Sequence, residues 1–144
     1  MTKDRLTFRL TTDGDQGELF IEAIVGRFSG AGSAWFNLEA IEDQLAGFEA
    51  CPISRLVPPR IQGGYYDSGE LEEEHLFCSI VPTNSTGSLA FMIRLATPGR
   101  VSSACRFSFS GEFATDYEQA RRFARELRAL ISQGGGSFVL YSES

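Results

Sequence analysis

The sequence predicts an α+β fold: an antiparallel sheet of about six to eight strands with two amphipathic helices, at about 37–50 and 115–132. Three observations predict it. Several short segments alternate apolar and polar residues. Two longer segments repeat apolar residues at helical spacing. The links between consecutive strands are short and rich in Gly, Pro, Asn and Asp. The order reads strands, helix, strands, helix, strand, in one domain spanning 1–144.

The elements follow from the residues in order. Leu6, Phe8 and Leu10 alternate with Thr7 and Arg9, a half-buried strand, and Asp13-Gly14-Asp15 is a turn. Residues 18–28 read as a second strand. Leu19, Ile21, Ala23 and Val25 share one face, while Phe20 and Ile24 lie opposite, so burial on both faces or a bulge is expected. The glycine-rich run 29–33 reads as a hairpin loop, with Ala34-Trp35-Phe36 a short strand after it. Asn37 then suits a helix N-cap, with Leu38, Ile41, Leu45 and Phe48 forming the apolar stripe. Pro52, Pro58 and Pro59 make 52–62 an irregular crossover, and Tyr65-Tyr66 opens a further strand.

In the second half, 76–81, 89–95 and 101–110 read as strands of an antiparallel meander. Thr115 and Glu118 fit a capping box, with Thr115 as N-cap. Tyr117, Ala120, Ala124, Leu127 and Ile131 form the stripe of the second helix, with Arg121, Arg122, Arg125 and Arg128 largely off it. Gly134-Gly135-Gly136 ends that helix and 138–141 is a closing strand.

Composition limits the function. A chain of 144 residues buries about two-thirds of its unfolded surface, so no disulfide or metal is needed for folding. The 12 Phe supply the bulk of a core. A net charge of −6 argues against nucleic-acid and anionic-membrane binding, which need clustered Lys and Arg. Cys51, Cys78 and Cys105 form no C-x-x-C pair and suit a reducing environment. The charged N-terminus lacks a signal-type apolar stretch, and no run approaches membrane-span length, so a cytoplasmic location is expected.

Catalytic inventory is short. The one histidine, His75, closes an acidic run of Asp67, Glu70, Glu72, Glu73 and Glu74. The run lacks calcium-loop spacing, and one His with carboxylates crowded on one segment is a poor metal set. It reads as a solvated loop or as an acidic patch for docking a basic partner. The 26–33 glycines lack the third glycine and the following helix of a phosphate-binding fingerprint. Trp35 reads as a core residue, with an interface anchor as the alternative. Arg9, Arg94 and Arg106 take outward positions on three strands, where Glu22 can join them. That face is either solvated and ion-paired or a carboxylate-reading interface. No G-x-S-x-G occurs, and no catalytic, cofactor-binding or metal residue stands out.

A strand pair leads through glycines to Ala34-Trp35-Phe36, and then to the helix Leu-x-x-Ile-x-x-x-Leu-x-x-Phe at 38–48. The strand at 76–81, the hairpin strand at 87–95 and the terminal helix Phe123-x-x-x-Leu127-x-x-Leu130-Ile131 follow. This order of elements resembles small bacterial immunity proteins of the WapI type and related families found beside polymorphic toxins. It covers most of the chain apart from 52–70 and carries over no functional residue. The resemblance implies a non-enzymatic cytosolic protein that binds and blocks a toxin. Many such toxins are basic nucleases, which an acidic binder would complement.

Three functional readings stand at this point. The first is a protein-binding module of immunity type, with Asp67, Glu70, Glu72, Glu73, Glu74, Arg9, Arg94 and Arg106 as contact residues and no cofactor. The second is a small-molecule binder or enzyme with a sheet cavity lined by Tyr65, Tyr66, Arg60 and His75. The third is a self-associating structural protein, because the 138–141 strand reads as a sheet edge.

Overall fold

The computed structural model describes residues 4–98 and 106–142. The elements are β1 (Arg5–Asp13), β2 (Gln16–Val25), β3 (Phe28–Asn37), α1 (Leu38–Phe48), β4 (Arg60–Asp67), β5 (Glu70–Pro82), β6 (Leu89–Ala96), β7 (Ser108–Thr115), α2 (Tyr117–Gln133) and β8 (Gly135–Tyr141). The class is α+β, and both helices stand where the periodicity puts them. The strands divide into two antiparallel sheets, β3-β2-β1-β8 and β4-β5-β6-β7, rather than filling one. Helix α1 and the irregular stretch before β4 carry the chain off the first sheet before the second begins.

The first hairpins close on two-residue turns, Gly14-Asp15 and Gly26-Arg27. Each has its glycine at φ +64°, the Gly-X pattern of a turn that matches strand twist. The chain therefore reverses at Gly26, and the run 29–33 read as a loop is the body of strand β3. Its glycines answer to packing. Strand β3 runs across all four strands of the second sheet. A Cβ on Gly30 would lie 2.5 Å from Phe109 Cβ on β7, and one on Gly32 would lie 3.0 Å from the His75 carbonyl on β5. Phe36, further along, meets Gly63 on β4. Small side chains let the two sheets approach at this crossing.

The core fills the space between the inner sheet faces and the helices. Leu6, Phe8 and Leu10 from β1 and Leu19, Ile21 and Ala23 from β2 are buried there. Phe20 and Ile24 lie on the outer face of the same strand, without double burial or a bulge. Phe123 of α2 is the hub. Its ring centroid is 4.8 Å from Phe48, 5.1 Å from Phe8, 5.4 Å from Phe91 and 6.1 Å from Phe138. It thereby ties α1 and both sheets to α2.

Asn37 caps α1 as expected, its side chain accepting from the Glu39 amide at 2.9 Å. On α2 the cap is Asp116, not Thr115. Asp116 Oδ1 accepts from the Gln119 amide at 2.8 Å, whereas Thr115 ends β7, buried, with no partner for its hydroxyl. Aspartate is an equally good cap, and Thr115 is drawn into the ladder opposite Leu89. The 101–105 part of the predicted 101–110 strand, with Cys105, lies outside the described residues. Among those described, β7 starts at Ser108 and runs on to Thr115.

Candidate functional site

The acidic run is strand rather than loop. Asp67 ends β4 and the four glutamates lie at the start of β5, the two strands pairing around the turn Ser68-Gly69, both residues at positive φ (54° and 83°). Strand β6 joins β5 only from Leu76 onward. Residues 64–67 and 70–75 therefore make a two-stranded arm beyond β6. Two register shifts leave Glu72 and His75 as extra residues opposite β4. Such bulges sharpen twist and re-aim side chains.

The carboxylates of the arm divide by position. At its far end Asp67, Glu70 and Glu72 are exposed, beside Tyr66, which is 50% exposed. At its base the groups are paired. Arg94 Nε donates to Glu74 Oε1 at 2.8 Å and Arg94 Nη2 to Oε2 at 3.1 Å, while Gln62 Nε2 donates to Oε2 at 2.6 Å. Gln62, Phe77 and Arg94 occupy one cross-strand row, which brings Arg94 over the Phe77 ring. The hydrogen bonds from Arg94 hold the Glu74 carboxyl below its ordinary range. Partial burial opposes this and Gln62 assists it. His75 Nε2 lies 2.8 Å from Glu73 Oε1. The arm thus has a braced base and a negative tip.

The three arginines do not share a face. Arg94 is on β6 of the second sheet. Arg9 is on β1 of the first sheet, its guanidinium carbon 4.4 Å from the centroid of the opposite Phe20 ring. Arg106 is exposed and precedes β7 rather than sitting in a strand. The separation follows from the two-sheet division. Phe20, Phe77 and Gln62 were not singled out from sequence. The register identifies them, because Phe20 lies opposite Arg9, Phe77 opposite Arg94, and Gln62 on the other side of Phe77 in the same row.

Trp35 is 51% exposed on the outer face of β3, and Phe36 is the inward neighbour. Cys78 is in the core, where burial pushes its thiol far up and keeps it protonated, and Cys51 is exposed. Among the described residues no group of three or more His, Cys, Asp or Glu side chains is placed to hold a metal, and no helix is long and apolar enough to cross a membrane.

Clefts are shallow. One of about 200 Å³ lies between α1 and β4, lined by Phe36, Ile41, Gln44 and Arg60 among others. Another, of about 260 Å³, lies between the 52–55 stretch and the β5–β6 loop, with Arg55, Asn84 and Tyr117 in its wall. Of the predicted cavity residues only Arg60 lines either, since Tyr65, Tyr66 and His75 belong to the arm. Compared with family models, curated proteins and solved structures, the chain matches none.

Proposed function

We propose that this chain is a non-enzymatic, cytosolic protein-binding module of immunity-protein type, which docks a basic protein partner, such as a toxin domain, through the β4–β5 arm. The observation that carries the reading is the tip of that arm. Asp67, Glu70 and Glu72 are exposed at the end of a ribbon whose base is held by Arg94 and Gln62, and the half-exposed Tyr66 precedes them on β4 with its hydroxyl donating to the Gln62 carbonyl at 3.3 Å. Grouped like charges raise encounter rates with an oppositely charged surface, and tyrosine supplies contact area at small entropic cost. The clefts of about 200–260 Å³ favour docking over ligand binding, because small-molecule sites usually hold roughly 300–1,000 Å³.

The test is co-expression with a basic toxin domain from a neighbouring reading frame, followed by calorimetry on the purified pair. Growth rescue is expected, with affinity that falls as salt is added. The triple variant Asp67→Asn, Glu70→Gln, Glu72→Gln should weaken binding by about 10-fold or more with an unchanged melting temperature. Unchanged affinity in that variant would return the tip to ordinary solvated surface. Glu74 is left out because it holds the base of the arm together.

A further inference from the structure

The first sheet ends on β8, while its opposite end strand, β3, lies across the second sheet. Strand β8 reads Gly-Gly-Ser-Phe-Val-Leu-Tyr, without charge or proline, and its ladder with β1 is regular from Thr11–Gly135 to Arg5–Tyr141. End strands of natural sheets normally carry a charge, a proline or a bulge that discourages pairing. The end strands of the second sheet do: β4 has Arg60, Asp67 and two register shifts, and β7 has Glu112. Strand β8 has none of these devices.

The backbone of β8 can be oriented from one bond. The Ser142 N–H donates to the Asp4 carbonyl at 3.0 Å. Antiparallel ladders alternate, so Leu140 and Phe138 also turn their polar groups to β1, and Val139 and Ser137 turn theirs to the open side. Ser137 is exposed and Val139 half-buried.

We infer that β8 is a homodimerisation edge, on which the β8 strand of a second copy pairs antiparallel about a two-fold axis at Val139. The occupant is a second copy because the edge is self-complementary in that register. Val139 meets its own equivalent, and Ser137, a small residue, faces the half-exposed ring of Tyr141 of the second copy. Charge permits it too. Strand β8 is uncharged, and Arg5 and Arg9 on β1 fall at opposite ends of the shared rows, so no like charges are opposed. The two four-stranded sheets become one of eight strands. One strand pair buries little area, which makes the dimer weak and concentration-dependent.

Sedimentation equilibrium of the whole chain tests it. The weight-average mass should double between about 10 μM and 1 mM, the range expected of a small interface. Val139→Lys places like charges on the axis and should keep the chain monomeric with its circular dichroism intact. Amide exchange on the wild-type chain gives a second readout that needs no variant. Exchange at Ser137 and Val139 should slow as concentration rises, while exchange at Phe138 and Leu140 stays constant. A monomer throughout the range overturns the inference, as does a dimer that survives Val139→Lys or leaves the Ser137 and Val139 exchange unchanged. A monomer would leave the acidic-arm reading untouched.

Discussion

The guanidinium carbon of Arg94 lies 3.7 Å from the centroid of the Phe77 ring, and from that position the same group forks onto Glu74. One side chain thus uses its flat face on an aromatic ring and its edge on a carboxylate, and links β6 to the base of the arm on β5. Arg94 is about half exposed, so solvent screens the charge part of the contact. A double-mutant cycle with Arg94→Ala and Glu74→Gln, read by urea unfolding, should give a coupling of about 0.5–1 kcal/mol. Arg94→Lys should recover little of it, because lysine keeps the charge and loses both fork and stack.

Glu74 sets a pH dependence of known sign. Its carboxyl is held below the ordinary value of 4.5 in the folded chain, so at acidic pH the unfolded chain takes up the proton first. The stabilisation is complete above that ordinary value and is lost as pH falls through the lowered one. Urea midpoints measured from about pH 6 down to about pH 3 should therefore fall less steeply for Glu74→Gln than for the wild-type chain. Equal slopes would remove Glu74 from the acid response.

Much of this fold was legible in the sequence because its signals are local. Helical spacing at 38–48 and 117–131, the Asn37 cap and the alternation of 89–95 depend only on near neighbours. What was not legible depends on distant ones. Glycine marks turns locally, so the 29–33 run looked like a loop, yet those positions are small because Phe109, Leu95 and the His75 carbonyl lie against them. Glutamate is uncommon in strands, so 70–74 looked like a loop, yet β4 pairs with it across two bulges. Reading β3 as starting at Ala34 also concealed which of Trp35 and Phe36 faces inward. Alternation through Gly30, Gly32, Ala34 and Phe36 gives the answer once the strand is whole. The division into two sheets separates Arg9 from Arg94 and has no local signature.

Trp35 reports directly on that alternation. As the sole tryptophan, half exposed, it should show red-shifted emission and ready quenching by acrylamide in the native state. Trp35→Ala should change stability by no more than about 0.5 kcal/mol, as at other surface positions. Phe36→Ala should cost more, since Phe36 packs on Gly63. Blue-shifted, protected emission would mean that the register of β3 is displaced by one residue.

The crossing of the sheets predicts an intolerant glycine. A methyl group at Gly30 would lie 2.5 Å from Phe109 Cβ, which is fixed to the β7 backbone and cannot swing away like the tip of a long side chain. Gly30→Ala should cost about 1–3 kcal/mol through overpacking. Gly14→Ala makes an informative contrast, because nothing lies within 4 Å of its added methyl and any loss comes from the positive φ alone. Chemical unfolding of the two variants separates crowding from backbone strain.

The hub of the core should be the most sensitive position. Phe123 meets Phe8 edge-on, tilts against Phe48 and approaches Phe91 and Phe138 edge-on, so its ring touches α1, β1, β6 and β8 at once. Phe123→Ala removes buried area and leaves a cavity bounded by four rings held on separate elements, which limits collapse. The expected loss is about 3–5 kcal/mol. Phe123→Leu fills part of that space and should lose less. Both are read from urea unfolding curves. Because β3 still lies across all four strands of the second sheet, the transition should stay a single one at a lower midpoint. A Phe123→Ala variant that melts in two steps would show that the ring, and not β3, couples the two sheets.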